Sequence, residues 1–355
     1  MKKKVLVGLS GGVDSAVAAL LLKEQGFDVA GVFMQIWDGD EKESTFASGC
    51  YGPEKKDIDD IRSITSILDI PLHIIDLKKE YKKIVLSYYK NEYLDGKTPN
   101  PCIICNRFLK FGLLLEKIQN AGVRFDYFAT GHYANTGYSN DFNRFILKKG
   151  VDDKKDQSYF LFLLTQEQLS KLIFPLGNYK KSQVREIAKK YNLPVSDKEE
   201  SQDFIAGDRF FVFGGDTKPG DIVDSNGKTI GTHKGIIYYT IGQRRGLNIP
   251  GEVPLYVIAI DTEENKIVVG AESELYRDRL IANNLNFIGV EDIKNPVKVA
   301  AKIRYKHDAS PATVYPLDAS RIEVIFDTPQ RAITPGQAVV FYTEDILVGG
   351  GIIEK

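Results

Sequence analysis

Residues 5–29 read VLVGLSGGVDSAVAALLLKEQGFDV, and how this stretch is parsed decides the fold of the first half of the chain. Lys4 to Leu9 is an apolar run without alternation, the pattern of a strand buried on both faces. Ala16 to Gln25 carries an apolar face and is closed by Gly26, the pattern of a helix ended by glycine. Between them stand Ser10-Gly11-Gly12-Val13-Asp14-Ser15. Glycines between a strand and a helix let backbone N–H groups approach an anion that the helix dipole also favours. Ser10 and Ser15 add hydroxyl donors, and Asp14 is suited to act through a bound Mg²⁺. The loop has no lysine, whereas a phosphoryl-transfer loop of the form G-x-x-x-x-G-K-[ST] sets one against the β- and γ-phosphates. A lysine-free loop fits cleavage between the α- and β-phosphates, where pyrophosphate leaves and AMP passes to a substrate. The plain alternative is a ligand-free glycine turn, and the Ser-Gly-Gly-x-Asp-Ser pattern in this setting weighs against it.

Outward from this loop, strand and helix signals alternate for about two hundred residues. Further buried strands are read at Val29–Met34, Leu72–Leu77 and Tyr127–Thr130. Helices are read at Glu54–Leu68, Lys78–Leu94, Asn106–Asn120 and Lys181–Tyr191. That alternation predicts an α/β domain with a parallel sheet and crossover helices on its faces. After Asp203 the pattern becomes all-β. GDIVDSNGKTIGTH turns at Asn226-Gly227, a strong hairpin signal, and LYVIAIDTEENKIVVG is a second hairpin. Short strands continue to the end, which predicts two small barrel-like domains. The expected units are 1–202, 203–280 and 281–355.

Hydrophobic residues make up 43% of the chain and charged residues 27%, as in an ordinary soluble globular protein. The net charge of −1 means that any nucleic-acid partner is held by local patches rather than by total charge. Arg244-Arg245 and the Lys302–Lys306 stretch are candidates. No signal peptide or membrane-length apolar run is read, so the expected location is cytoplasmic, with no membrane partner. The three cysteines, Cys50, Cys102 and Cys105, argue against a disulfide framework and leave thiol chemistry, metal ligation or burial open. His73 reads as a packed histidine, His132 as a core or nucleotide-side one, Trp37 as either flanking the nucleotide or packing at an edge, and Tyr238-Tyr239 and Phe210-Phe211 as β-domain core.

SGGVDS is the signature of the PP-loop ATP pyrophosphatases. With it stand, in order, TPNPCIICNRFLKFG from Thr98, ATGHYA from Ala129, KKDQSYFLFLL from Lys154, ESQDFIAGD from Glu200, TIGQRRGL from Thr240 and KIRYKH from Lys302. The ordered set resembles the bacterial tRNA-specific 2-thiouridylase (MnmA) family over essentially the whole chain. The resemblance implies ATP-dependent adenylation of O2 of the wobble uridine, U34, of tRNA, with pyrophosphate release and then sulfur transfer. It implies that Gly8, Leu9, Ser10, Gly11, Gly12, Val13, Asp14 and Ser15 bind the ATP phosphates with Mg²⁺, and that Met34 and Gly131 line the adenosine site. Asn100, Pro101 and the residue after them would touch the target base. Lys155, Asp156 and Gln157, with Arg304 and Tyr305, would contact tRNA. Cys105 stands where the family has its nucleophile. The sulfur would come from a donor protein or from free sulfide. An unpaired wobble base suits this chemistry because it can be splayed into a pocket.

The chain departs from the family's N-P-D-x-x-C pattern. Cys102 replaces the aspartate, and Ser201 to Ala206 contains no second catalytic cysteine. Three readings follow. Cys50, Cys102 and Cys105 hold a [4Fe–4S] cluster whose open iron carries hydrosulfide, as three soft thiolates would allow. Alternatively, Cys105 carries a persulfide that Cys102 or Cys50 resolves. In the third, only Cys105 acts and the others are buried apolar residues.

Overall fold

The computed structural model describes residues 2–37, 49–198, 203–205, 213, 217–249 and 253–354; of Cys50 it describes the backbone only. Ser201, Gln202, Ala206, Phe210 and Phe211 therefore lie outside the described residues, as does the Cys50 side chain. Strand β1 (Lys4–Gly8) runs into helix α1 (Val13–Glu24), as the opening stretch predicts. Val5, Leu6 and Val7 are all buried, which explains the missing alternation. Helix α1 is buried around most of its circumference, from Val13 through Leu22, so it is a core helix rather than a surface one.

With β2 (Asp28–Gln35), β3 (Gly49–Tyr51), β4 (Leu72–Asp76), β5 (Tyr127–Thr130), β6 (Ala134–Ser139), β7 (Arg144–Lys149) and β8 (Leu172–Ile173) defined along the chain, the main sheet has the order β4-β2-β1-β5-β8 and is parallel throughout. β1 is the point at which the strand order reverses. In open parallel sheets, the crevice beyond that point at the carboxyl ends of the strands is where ligands bind. The Ser10–Ser15 loop sits there.

β9 (Asp203–Ile205) pairs in parallel with β3, Gly49 opposite Asp203 and Tyr51 opposite Ile205. β10 (Gly220–Val223), β11 (Thr229–His233), β12 (Tyr256–Asp261) and β13 (Lys266–Gly270) form a four-stranded sheet, in which both expected hairpins are present. Gly227 takes φ +81° in the first of them, the left-handed value its Asn-Gly turn calls for.

The last unit contains β14 (Tyr276–Phe287), β15 (Val297–Lys302), β16 (Ser310–Pro316), β17 (Ile322–Arg331), β18 (Ala338–Thr343) and β19 (Ile346–Ile353). β14 pairs with both β17 and β19, which closes the six strands into a barrel. The β6–β7 hairpin belongs in sequence to the first unit, yet it extends this barrel's sheet through Lys148 opposite Ile346. One core spans the junction: Leu6 and Phe128 of the parallel sheet share it with Tyr159, Phe162, Val340, Tyr342 and Leu347. Among the described residues no helix is long and apolar enough to cross a membrane.

Candidate active site

The phosphate loop is pinned by its own serines. Ser10 N–H donates to Ser15 Oγ at 3.1 Å, and Ser15 Oγ donates to Gly12 O at 3.0 Å. Gly11 adopts φ +71°, and a Cβ there would stand 3.0 Å from the Asp57 backbone at the start of α2 (Lys55–Leu68). Gly131, just past β5, approaches even closer: its Cβ would meet the Asp14 carbonyl carbon at 2.7 Å and Ser15 N at 2.8 Å. Both glycines are therefore required by close backbone approach. Gly131 thus lies on the phosphate loop, and Met34 lies half-buried near the end of the adjacent strand β2.

Two lysines from remote sequence reach this lysine-free loop. Lys181, in the first turn of the helix Lys181–Lys190, sets its Nζ 2.7 and 2.8 Å from the two Asp14 carboxylate oxygens. Tyr133 donates its hydroxyl to Asp14 Oδ1 at 2.7 Å. Lys198 Nζ donates to Gly11 O at 3.0 Å, Asp57 Oδ1 at 2.7 Å and Asp60 Oδ2 at 2.6 Å. Burial pulls the Lys198 pKa down, but the two carboxylates outweigh it and the net shift is upward.

Sequence reading counts Lys180-Lys181 only among the basic pairs able to form a positive surface, does not single out Lys198, and places neither lysine at the loop. A signal existed for Lys181: a lysine at a helix N-terminus opposes the dipole and needs an anion to hold it there.

Beside β2, Glu54 immediately precedes α2 and is 8% exposed. Its Oε1 accepts from the N–H groups of Ile36 at 2.7 Å and Trp37 at 3.2 Å, while buried Oε2 has no hydrogen-bond partner among the described residues. Desolvation raises its pKa to about 7 against the pull of those two N–H groups.

The cysteine pair opens a continuous helical stretch, 101–120, with Pro101 in its first turn. Cys102 and Cys105 are three residues apart and share a face; both are half-buried. Cys105 begins a π-helical run, Cys105–Leu113, and Gln168 Nε2 donates to the Arg107 and Phe111 carbonyls at 3.3 and 2.8 Å. Such runs need outside partners for carbonyls that lose their i+4 donors, and they recur at functional sites.

Cys105, Met34 and Phe204 pack against one apolar cluster that includes Ile36, Trp37, Tyr51 and Leu109. Trp37 meets Tyr51 edge-on at 4.8 Å, and Tyr51 stacks on Tyr81 at 5.4 Å. The cluster thus gathers the end of β2, the strand containing Cys50, the Cys105 helix and the stretch Asp203–Ile205. Among the described residues no group of three metal-ligating side chains stands together. The Cys50 side chain lies outside the described residues, and Cys102 and Cys105 on one helical face suit a thiolate-ligated group as far as two ligands can.

The residues expected at tRNA divide. Asn100 sits at the helix N-cap in an extended conformation and makes no capping bond with its side chain. Lys155 is half-buried. Asp156 is 4% exposed, and its carboxylate accepts from Gly150 N, Ser158 N and Ser158 Oγ at 3.1, 3.1 and 3.0 Å. Gln157 Oε1 accepts from Tyr133 N at 3.0 Å. The Asp156 and Gln157 side chains thus hold the chain rather than project outward, because the loop they occupy must bury its backbone donors.

Arg304 donates to Ala332 O at 2.7 Å, to Ile241 O at 3.3 Å and to the Thr334 hydroxyl. Tyr305 packs on Phe160 at 4.4 Å. His132 hydrogen-bonds Thr130 at 2.7 Å and lies against Phe111 and Phe174; burial holds its pKa well below the usual value.

A lysine-free glycine loop at the switch point of a parallel sheet, with Asp14 in its helix start and two β-rich units behind, defines a PP-loop nucleotide-binding domain of the HUP class with barrel appendages. Family profiles agree along the chain: the tRNA methyl transferase HUP domain matches residues 3–206, its PRC-barrel domain 212–271, and the aminomethyltransferase β-barrel domain 277–353. The tRNA-specific 2-thiouridylase MnmA of Acetivibrio thermocellus is 48% identical over 361 residues, covering 99% of each chain. That of Endomicrobium trichonymphae is 46% identical over 354 residues, covering 99% of this chain and 98% of its own. A solved 4-thiouridine synthetase–RNA complex with bound ATP is 20% identical with a TM-score of 0.38, covering 59% of this chain and 45% of that one. The chain belongs to the MnmA family of tRNA-specific 2-thiouridylases.

Proposed function

We propose that the chain is an ATP-dependent tRNA-uridine 2-sulfurtransferase acting at U34 of the anticodon. The supporting observation is the common apolar cluster that joins Cys105 to the end of β2, so the thiol side and the nucleotide side share one edge of the sheet. The domain descriptions speak of a methyl transferase. A methyl group is delivered from a donor that is already activated, whereas a phosphate cradle serves to activate the base itself.

In this reading ATP lies with its phosphates on Gly8–Ser15 and its adenosine against Met34 and Gly131. Uridine O2 attacks the α-phosphorus, the bond to the β-phosphate oxygen breaks, and pyrophosphate leaves. Asp14 is the group suited to Mg²⁺. A Mg²⁺ held there would supply charge to the phosphates, and the Lys181 ammonium, placed beside the loop by Asp14 at 2.7 and 2.8 Å, adds the positive charge that the loop lacks. Sulfur then adds at C2, and AMP leaves with the former O2.

For the sulfur step, residue spacing supports two routes. In one, a donor protein leaves a persulfide on Cys105, and its terminal sulfur attacks C2 and expels AMP. A thiolate, from Cys102 one helical turn away, then attacks Cys105 Sγ. That frees the 2-thiouridine and closes a Cys102–Cys105 disulfide, which a dithiol reductant reopens. In the other, Cys50, Cys102 and Cys105 would hold a [4Fe–4S] cluster, which would supply the sulfur as hydrosulfide. The base would meet Asn100 and Pro101, with Lys155, Arg304 and Tyr305 on the RNA side.

The deciding experiment offers ATP and an unmodified anticodon stem-loop to anaerobically purified protein and measures pyrophosphate. Release no faster than without RNA sinks the reading. Iron and sulfide content, with thiolation by Cys50→Ala, Cys102→Ala and Cys105→Ala, separates the two routes: full activity in iron-free protein excludes the cluster.

A further inference from the structure

Three polar groups of Thr98 are held by three places in the C-terminal half of the chain. Its N–H donates to Pro335 O at 2.8 Å, its carbonyl accepts from Gln337 Nε2 at 2.8 Å, and its hydroxyl lies 3.3 Å from Thr240 Oγ1 as donor. The same Gln337 amide reaches Pro99 O at 3.4 Å. Gly336, at φ +85°, passes so close that a Cβ there would stand 3.0 Å from Thr98 N and from Lys97 Cβ.

The barrel side of this contact is itself fixed. Arg304 ties Ala332 O to Ile241 O, Gly336 N–H donates to Ile353 O at 2.9 Å, and Ile353 N–H donates to Gln337 O at 2.8 Å. Gln337 is therefore set by strand pairing, while its side chain sets two consecutive carbonyls just ahead of Asn100 and the Cys102–Cys105 helix. None of these bonds touches the phosphate loop.

The geometry points to Gln337 as a positioning residue for the uridine site: it fixes the Thr98–Asn100 segment from the C-terminal barrel. This rests on the proposed function. Two consequences follow. Nucleotide binding does not need Gln337, whereas reaction at the base does, because a displacement of the base by an ångström is enough to lose alignment with the α-phosphorus. RNA seated on the barrel also acts on the active-site loop through this side chain.

The test uses the full chain with Gln337→Glu and Gln337→Met, which keep the side chain's length and remove its donor. Affinity for a non-hydrolysable ATP analogue without RNA is expected to stay within about twofold, and kcat for RNA-dependent pyrophosphate release to fall about tenfold or more. KM for the stem-loop changes less than kcat. Two results overturn the inference: kcat within about twofold of wild type in both variants, or analogue affinity falling in step with kcat as in general unfolding. A wild-type chain that releases no pyrophosphate with RNA sinks the proposed function and this inference together. An active wild type with unaffected variants sinks the inference alone.

Discussion

Lys181 Nζ bridges the two carboxylate oxygens of Asp14 at 2.7 and 2.8 Å across 167 residues of chain. The Lys181 side chain is 11% exposed and that of Asp14 29%, so the pair is only partly screened. The ammonium that the phosphate loop lacks in sequence is thus present in space, supplied by the first turn of a distant helix and already oriented before nucleotide arrives.

Replacing it tests the idea. Lys181→Met keeps the stem and removes the charge. RNA-dependent pyrophosphate release is expected to drop about 100-fold, the scale on which single preorganised charges act on a leaving group. Binding of a nucleotide analogue should weaken less than the rate falls, because the charge matters most as the leaving group departs. A rate within about threefold of wild type would leave Lys181 as a structural partner of Asp14 only.

Gly131→Ala probes the other wall. The added Cβ would stand 2.7 and 2.8 Å from backbone atoms of Asp14 and Ser15, and backbone at a helix start cannot yield as a side-chain tip can. The loop must shift, so analogue affinity is expected to fall about tenfold or more, a loss of ~1.4 kcal/mol. Unchanged affinity by calorimetry would mean that the loop tolerates this displacement and that Gly131 does not shape the site.

Local signals made the first half of the fold legible. The unalternating Val5–Val7 run, the apolar helix after the loop and Gly26, which takes φ +86°, each state their conformation within a few residues. The two hairpins of the middle unit announce themselves through Asn226-Gly227 and short alternating runs. The β6–β7 hairpin does not. Its residues Asn135, Thr136, Gly137, Tyr138 and Ser139 are polar or small, and its place is fixed by pairing with β19, about 200 residues on. Within the site, the phosphate loop and the cysteine helix were readable as motifs. Lys198 and Glu54 were not, because each acts through a contact rather than a pattern; Lys181 offers only its place at a helix start, and its partner Asp14 is set by the fold. Asp156 and Gln157 sit in a motif, but only the structure reveals that their side chains turn inward.

Glu54 makes stability depend on pH. Its folded pKa of about 7 lies above the unfolded value, so the native state binds the extra proton. The associated stability is full below about pH 4.5 and is lost as pH rises through about 7, on the order of 3 kcal/mol at most. Glu54→Gln keeps an acceptor for the Ile36 and Trp37 N–H groups and has no charge to bury. Its denaturation midpoint relative to wild type should therefore improve steadily between pH 5 and pH 8. A difference that is flat across that range would show that Glu54 titrates normally in the folded chain.

Asp156 separates a structural role from an RNA contact. Its buried carboxylate serves two backbone N–H groups and the Ser158 hydroxyl, which in turn lies 3.0 Å from the Tyr342 hydroxyl in the core shared with the barrel. Asp156→Ala strips all three donors at once and is expected to cost about 3 kcal/mol, since buried donors left unpaired bear the full desolvation penalty. Asp156→Asn keeps the oxygen that faces the two N–H groups and can donate to the Ser158 oxygen, so it should cost about 1 kcal/mol. Denaturant unfolding measures both, and stem-loop affinity is measured on the folded Asn variant. Affinity within about twofold of wild type assigns Asp156 to the scaffold. A loss of affinity without loss of stability would return the side chain to the RNA surface, and its three internal bonds would then have to break when tRNA binds.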